Sequence, residues 1–177
     1  MLLSICIPTY NRLSSLDNCL NSILISSKNV QNLDFEVCVS DNYSDQNPVE
    51  IVNKYRNNLN IIFNRNEKNL GVALNAIETL KLSSGKFAWL IGNDDLILPN
   101  TLNDLKKIFE ANIDVDYFFV NSYYLHSNYL NKYPKPFNTY ELKNKSLKSI
   151  SKFKENKRAN FWEVIDPKVS WEFLISI

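Results

Sequence analysis

The chain alternates between short apolar runs and longer stretches in which apolar residues recur at helical spacing. Leu3 to Ile7 form one such run, which stops at Pro8. Compact apolar runs bounded by turn residues predict buried strands, and spacings of three and four residues predict amphipathic helices. The predicted strands are 3–7, 35–40, 60–63, 86–91 and 115–120, and the predicted helices are 13–26, 48–55, 72–80 and 99–109.

Alternation of this kind predicts an α/β fold, a single domain with a Rossmann-like, mainly parallel sheet and helices on both faces. Ligands of such sheets bind beyond the carboxyl ends of the strands, where the loops converge. The loop segments that follow the predicted strands are polar, and we expect them to line one cleft. These segments are 9–12, 41–45, 64–66 and 93–95.

The pattern weakens after residue 122. Residues 132–158 carry nine Lys and Arg against two Glu, a net charge of +7, whereas residues 1–131 carry 10 Lys and Arg against 14 Asp and Glu, a net charge of −4. We expect helical stretches at about 140–155 and the start of a strand at 169–177. The basic segment 132–158 has two interpretations, a peripheral contact with an anionic membrane surface or acceptor, and a solvated helix face.

Composition narrows the class of protein. The net charge of +1 gives no indication of nucleic-acid binding. Three cysteines without ligand spacing, Cys6, Cys19 and Cys38, are interpreted as free buried thiols of a reducing compartment. No apolar run reaches the roughly 20 residues that span a bilayer, and the start of the chain lacks a basic leader. We therefore expect a cytoplasmic protein, with any membrane contact peripheral.

The sequence contains only three glycines, and neither of the usual glycine-rich phosphate-binding motifs, G-x-G-x-x-G and G-x-x-x-x-G-K-[ST], occurs. A diphosphate would then be held by a divalent cation. Asp94 and Asp95 follow the fourth predicted strand and offer the oxygen ligands that Mn²⁺ or Mg²⁺ prefers. A simple turn that caps the next helix is the alternative interpretation of these residues.

Asp41 occupies the equivalent position after the second predicted strand. A carboxylate here could accept a hydrogen bond from a nucleobase or from a ribose hydroxyl, without indicating which base. An Asx-turn is the alternative interpretation.

Four motifs together resemble family 2 glycosyltransferases, which have the GT-A fold. They are I-C-I-P-T-Y-N-R at 5–12, V-S-D-N-Y-S-D at 39–45, N-L-G-V-A-L-N-A at 69–76 and S-S-G-K-F-A-W-L-I-G-N-D-D-L-I-L-P at 83–99. Their order and their positions at strand ends make the resemblance specific over roughly the first 120 residues. The L-I-G-N-D-D version is most similar to the abequosyltransferase-like group, which builds bacterial surface polysaccharides.

The resemblance implies a role for each matched position. Residues 1–125 would form the nucleotide-sugar-binding domain, and 126–177 would begin the acceptor-side region, which we expect to be truncated. A base and ribose pocket, a wall beside the ribose and diphosphate, and a metal site are implied. The nucleotide-sugar-binding residues would be Pro8, Thr9, Tyr10, Arg12, Asp41, Arg65, Asn69, Gly71, Asn75, Asn93 and Asp94, and the metal ligands Asp94 and Asp95.

Two departures from the family pattern change these expectations. The first aspartate of the family's D-x-D-D motif is Gly92 here, so that the cation has one carboxylate fewer. In the D-D-G-S motif of the family, which corresponds to residues 41–44, the second aspartate is Asn42 here and the glycine is Tyr43. We expect a loop of different shape at this position.

The implied reaction is an inverting transfer, in which a hydroxyl of a saccharide or lipid-linked acceptor displaces the nucleoside diphosphate from the sugar. The family's general base lies on the acceptor side, and we expect it beyond Ile177. Two alternatives stay open: a non-catalytic nucleotide-sugar-binding fragment, and a sugar nucleotidyltransferase. The glycine-rich opening loop of the nucleotidyltransferases is absent from this sequence.

Overall fold

The computed structural model describes residues 1–142, 147–150 and 158. Strands and helices alternate from β1 to α4. The strands are β1 (Leu3–Thr9), β2 (Phe35–Asp41), β3 (Ile61–Arg65) and β4 (Phe87–Leu90), and the helices are α1 (Leu13–Ser27), α2 (Val49–Tyr55), α3 (Val72–Lys81) and α4 (Thr101–Ala111). The predicted α/β alternation is confirmed for these eight elements.

The four strands form one parallel sheet in the order β3-β2-β1-β4. Thr9 lies opposite Asp41 in the register of β1 and β2, and Asp41 lies opposite Arg65 in the register of β2 and β3. Parallel strands end at the same edge of a sheet, so the loops that follow them meet there. The expected edge for a ligand site is therefore present.

Helices cover both faces of the sheet, as predicted. On one face, α1, α2 and α4 enclose a core in which Leu20 and Val52 pack against Ile5. On the other face lies α3, whose Asn75 side chain donates to the Ser40 carbonyl at 3.1 Å. Two serines of α1 join the first layer to its neighbours by accepting backbone N–H groups. Ser22 Oγ accepts from Ile97 and Ser26 Oγ from Leu102, both at 3.1 Å.

The predicted fifth strand at 115–120 is wrong for this structure. The segment runs beside β4 without pairing to it and is anchored by side chains, since the ring of Phe118 lies edge-on to Phe87 and Phe109 at centroid distances of 5.3 and 5.0 Å. A cavity of about 170 Å³ is lined by this segment and by β4. Aromatic packing therefore accounts for the apolar run that resembled a strand.

The segment after residue 122 is organised differently from the sheet. A small antiparallel pair joins β5 (Tyr123–Tyr124) to β6 (Lys148–Ser149), and 3-10 helices span Ser127–Lys132 and Thr139–Leu142. The helical stretches expected at about 140–155 are thus wrong for the described part of that range, where one short 3-10 helix and β6 occur. The strand expected at 169–177 lies outside the described residues.

Phe137 attaches this later segment to α1. Its backbone N–H donates to Asn18 Oδ1 at 2.7 Å, and its carbonyl accepts from Asn21 Nδ2 at 2.9 Å. The side chain is 1% exposed. Residues 137–142 are therefore fixed against the same layer as the main core, although the boundary expected at residue 125 stays a prediction.

Cys6, Cys19 and Cys38 are free and buried, which agrees with their interpretation as structural thiols. Within the described ranges, no helix combines the length and apolarity that crossing a bilayer requires.

Candidate functional site

Loops from β1, β2 and β4 are bonded to one another at the carboxyl edge of the sheet. Asn11 makes the first connection, because its N–H donates to Ser44 Oγ at 2.8 Å and its side chain donates to Asp45 Oδ2 at 3.1 Å. The Asp45 N–H donates back to Asn11 Oδ1 at 2.8 Å. Asn11 adopts a left-handed φ of 51°, which asparagine tolerates better than most residues. The first two loops thus form one bonded unit.

The loop after β4 joins the same unit through two contacts. Asn93 Nδ2 donates to Thr9 Oγ1 at 2.8 Å, and both residues are buried. Arg12 Nη1 lies 2.5 Å from Asp94 Oδ2, with both side chains largely in solvent. Loops separated by more than 80 residues in sequence therefore form one rim, and the two polar pairs come from the predicted site residues.

Asp41 lies inside the protein beneath this rim. Its side chain is 0% exposed. Both carboxylate oxygens accept from the Ser44 N–H at 3.2–3.3 Å, Oδ1 also accepts from Ser44 Oγ, and Arg65 Nε lies 3.5 Å from Oδ2. Base binding at Asp41 stays a prediction.

A network of asparagines supports the other side of the rim. Asn42 Nδ2 donates to Asn69 Oδ1 at 2.8 Å, and Asn42 Oδ1 accepts from the Leu70 N–H at 2.8 Å. Asn66 Nδ2 donates to Asn75 Oδ1 at 2.9 Å. Gly71 follows at the start of α3 with a φ of 82°, a backbone conformation that favours glycine. The expected wall of Asn69, Gly71 and Asn75 is therefore a connected structure.

The site residues expected near the base differ in exposure. Thr9 is 4% exposed and bonded to Asn93, Pro8 is half-buried, and Tyr10 is 42% exposed. Arg65 Nη2 donates to the Ser44 carbonyl at 2.7 Å. Of the opening-motif residues expected at the base and ribose pocket, Tyr10 and Arg12 are thus the exposed ones.

The carboxylates of Asp94 and Asp95 both lie close to Gly92. A Cβ placed on Gly92 would lie 2.9 Å from Asp94 Oδ1 and 3.1 Å from Asp95 Oδ2. The space that a side chain at Gly92 would fill therefore lies within about 3 Å of two carboxylate oxygens, and the Arg12 guanidinium already lies beside Asp94 as a cation. The residues present fit a divalent ion that takes its other oxygen ligands from a nucleotide and from water.

The electrostatics of Asp95 agree with this fit. Desolvation is the largest influence and raises the pKa of Asp95, the charge of Asp94 raises it further, and the hydrogen bond from the Gly92 N–H at 2.8 Å opposes both. The charge of Asp94 disfavours the charged form of Asp95, and a bound cation would relieve this effect. Among the described residues, no group of three or more His, Cys, Asp or Glu side chains offers a metal site made by protein alone.

The sequence analysis did not identify as site residues the residues that bond the loops to one another. Asn11, Asn42, Ser44 and Asn66 each stand within a polar loop whose importance was recognised, but their partners lie 24 to 34 residues away in the sequence. The concentration of asparagine in these loops is the signal that could have indicated a hydrogen-bonded rim.

The fold and the rim together define an α/β protein with a polar, hydrogen-bonded rim at the carboxyl edge of its parallel sheet. Residues 4–166 match the family described as Glycosyl transferase family 2. The chain belongs to this family, which confirms the resemblance drawn from the four motifs.

Among curated proteins, the chain is 39% identical to abequosyltransferase RfbV of Salmonella typhimurium over 117 residues, which cover 65% of this chain and 34% of RfbV. It is 34% identical to the poly(ribitol-phosphate) beta-N-acetylglucosaminyltransferase TarS of Staphylococcus aureus over 105 residues, which cover 59% of this chain and 18% of TarS. The chain thus spans about a third of the length of RfbV and less than a fifth of the length of TarS.

Solved structures give the same fold. A fragment of S. aureus TarS in complex with UDP superimposes with a TM-score of 0.59 at 32% identity, covering 64% of this chain and 33% of that chain. A mannosyltransferase from Pyrobaculum calidifontis, in complex with GDP-Man and Mn²⁺, superimposes with a TM-score of 0.51 at 20% identity, covering 60% of this chain and 32% of that chain. The predicted GT-A fold is confirmed by these similarities.

Proposed function

We propose that this chain is the donor-binding part of an inverting glycosyltransferase, which binds a nucleoside diphosphate sugar at the rim for transfer of the sugar to an acceptor hydroxyl. The observation that carries the proposal is the junction of three strand-end loops. The loop after β1 bonds the loop after β2 through Asn11 and Ser44, and the end of β1 and its loop bond the loop after β4 through Thr9 with Asn93 and Arg12 with Asp94. This junction brings carboxylates and a guanidinium to the edge where α/β sheets bind ligands.

The relatives support the proposed donor class. TarS has been solved with UDP and with UDP-GlcNAc. At 32% identity, TarS supports a nucleoside diphosphate sugar as the donor of this chain as well. The base and the sugar are left open by this comparison, because RfbV is named for a different sugar.

In the proposed site, Asp94 and Asp95 would hold Mn²⁺ or Mg²⁺. Such an ion neutralises the charge that develops on a departing diphosphate. The positively charged side chain of Arg12 lies beside Asp94, and its planar guanidinium group suits hydrogen bonding to phosphate oxygens. The remaining proposed contacts surround the base, the ribose and the diphosphate. They come from Pro8, Thr9, Tyr10, Asp41, Arg65, Asn69, Gly71, Asn75 and Asn93.

The proposed acceptor is a hydroxyl of a saccharide or of a lipid-linked carrier in surface polysaccharide biosynthesis. RfbV is named for transfer of abequose and TarS for transfer of N-acetylglucosamine to poly(ribitol-phosphate), and these names support an acceptor of this kind. The proposed location is the cytoplasmic side of a membrane, with peripheral contact through the basic segment 132–158, whose net charge of +7 would be attracted to anionic headgroups.

Calorimetry with UDP, GDP, CDP and dTDP, each with and without Mn²⁺, tests the donor site. We expect one nucleotide to bind in a metal-dependent manner, and Asp94→Ala to weaken that binding by at least about 10- to 100-fold, the loss that even an indirect metal partner causes. Asp104→Ala, which removes an exposed carboxylate from the first turn of α4, is the matched control and should bind like the unsubstituted protein.

Two results would contradict the proposal. Binding that is independent of metal and of Asp94 would argue against the cation-bridged diphosphate, and absence of binding to any of the four nucleotides would argue against the donor site. A turnover assay on the protein that binds then separates a transferase from a non-catalytic nucleotide-sugar-binding fragment.

A further inference from the structure

Tyr43 is the one residue of the segment 41–44 that projects into solvent. Its side chain is 52% exposed, whereas Asp41, Asn42 and Ser44 are 0%, 3% and 2% exposed. The neighbours are fixed by the hydrogen bonds of Asp41 with Ser44 and of Asn42 with Asn69. A rigid piece of backbone therefore holds a large aromatic ring at the rim.

The backbone of Tyr43 is strained. Its φ is 66°, in the left-handed region that bulky residues rarely adopt. The motif that this loop resembles has a glycine at the same position, which would adopt this φ without strain. Strain that the surrounding structure maintains is concentrated at functional sites in proteins, so the choice of tyrosine here needs a reason beyond stability.

Arg65 supports the ring from one side. Its guanidinium carbon lies 5.5 Å from the centroid of the Tyr43 ring. The same guanidinium group is tied to the Asp41 carboxylate at 3.5 Å and to the Ser44 carbonyl at 2.7 Å. The buried carboxylate thus acts through Arg65 to orient the ring, and the side chain, at 52% exposure, stays open to a planar ligand group.

We propose that Tyr43 is a stacking surface for the base of the bound nucleotide, with Arg65 and Asp41 as the residues that position it. The inference rests on the proposed function and deepens it, because it places the base end of the donor against the loop after β2. Aromatic rings that are exposed and held rigidly bind any nucleobase through its flat face. Recognition by Tyr43 would therefore add affinity for the base without selecting one base by itself.

The test compares Tyr43→Gly with Tyr43→Phe. Calorimetry would use the nucleotide among UDP, GDP, CDP and dTDP that binds the unsubstituted protein most tightly. Loss of a base-stacking ring corresponds to a fall in affinity of about 5- to 100-fold, which we expect for Tyr43→Gly. Tyr43→Phe keeps the ring and should stay within about twofold of the unsubstituted protein.

Thermal unfolding distinguishes stacking from a purely structural role. Glycine relieves the left-handed strain, so Tyr43→Gly should unfold at a temperature no more than a few degrees from the unsubstituted protein while its nucleotide affinity falls. Tyr43→Asn is a second variant that tolerates this φ and lacks the ring, and it should lose affinity to the same degree.

Equal nucleotide affinity of Tyr43→Gly and the unsubstituted protein would overturn this inference alone, since the donor site would then be intact without the ring. A loss of affinity in Tyr43→Phe as large as in Tyr43→Gly would also overturn it, because the ring would not be the group that matters. Failure of the unsubstituted protein to bind any nucleotide would overturn the proposed function together with this inference.

Discussion

The two faces of the sheet are built from different kinds of residue. On the side of α1, the β1 residues Leu3, Ile5 and Ile7 are at most 1% exposed and pack against apolar helix residues. On the side of α3, Ser4 Oγ donates to Glu36 at 2.7 Å, and Ser40 Oγ donates to Asn75 at 2.9 Å. Strand β1 thus presents apolar side chains to the α1 layer, whereas β1 and β2 present hydrogen-bonding side chains to the α3 layer.

The difference between the two faces separates the residues that stabilise the domain from the residues that position the rim loops. Burial of apolar side chains is non-directional, so the α1 face stabilises the domain without fixing the loops closely. Hydrogen bonds are directional, and on the α3 face they continue from Ser40 through Asn75 and Asn66 to Asn42 at the rim. We therefore expect substitutions on the first face to change the free energy of unfolding and substitutions on the second face to change nucleotide binding as well.

Leu20→Ala is the change that should break the α1 face most strongly. Leu20 lies in α1, is 0% exposed and belongs to the main core. Truncation of a buried leucine destabilises by about 2–5 kcal/mol, through lost transfer free energy and the cavity left behind. Urea denaturation would measure this loss, and nucleotide affinity of the folded variant should be unchanged. A large fall in affinity at conditions where the variant is fully folded would contradict the separation of the two faces.

Asn75→Ala tests the α3 face and should have the next largest effect on stability. Its side chain donates to the Ser40 carbonyl at 3.1 Å and accepts from Ser40 Oγ and Asn66 Nδ2 at 2.9 Å. Removal of these partners leaves buried polar groups unpaired, which costs about 1–3 kcal/mol. Because Asn66 also bonds Asn42, we expect nucleotide affinity measured by calorimetry to fall together with the free energy of unfolding.

Thr79→Val is the matched control for Asn75→Ala. Thr79 lies one turn further along α3, is 0% exposed and donates to the Asn75 carbonyl at 2.7 Å. Its loss should lower the free energy of unfolding by about 1 kcal/mol with no effect on nucleotide affinity. If Thr79→Val weakened nucleotide binding as much as Asn75→Ala, the effect would come from the packing of α3 and not from the network to the rim.

Helix α3 shows what the hydrophobic pattern could and could not predict. The spacing of Val72, Ile77 and Leu80 correctly indicates a helix, yet these residues are 86%, 47% and 37% exposed. The side of α3 that meets the sheet carries Asn75 and Thr79, since the strand residues opposite are polar. Periodicity therefore identifies the element, whereas the layer it faces decides which side is buried.

The rim, too, could be predicted only in part from the sequence. The residues that follow each strand could be predicted to meet, because the carboxyl ends of parallel strands share one edge. The pairing of Arg12 with Asp94 and the burial of Asp41 under Arg65 could not, since both depend on contacts between loops far apart in sequence. The strand predicted at 115–120 failed because aromatic packing and strand pairing both favour the same apolar run.

Glu36 offers the smallest and most specific test of the polar face. Oε1 of this 3% exposed residue accepts from Ser4 Oγ, the Ser84 N–H and Ser84 Oγ at 2.7, 2.7 and 2.8 Å. Burial acts to raise the pKa of Glu36, but the hydrogen bonds from Ser4 and Ser84 outweigh it, so that the pKa lies below the ordinary value. The charged form is thus favoured in the folded state, and Glu36→Gln should lose about 1 kcal/mol of stability at pH 7.

A lowered folded-state pKa determines the sign of the pH dependence. The contribution of Glu36 is fully present above the pKa of the unfolded chain, about 4.3 for a glutamate, and is lost as the pH falls through the lower folded-state pKa. Urea denaturation between pH 7 and pH 3 should therefore show a smaller loss of stability on acidification for Glu36→Gln than for the unsubstituted protein. Glu67→Gln, at an exposed loop position, should follow the unsubstituted protein. Parallel curves for all three proteins would show that Glu36 is not preferentially charged in the folded state, and the polar face would then be held by its neutral hydrogen bonds.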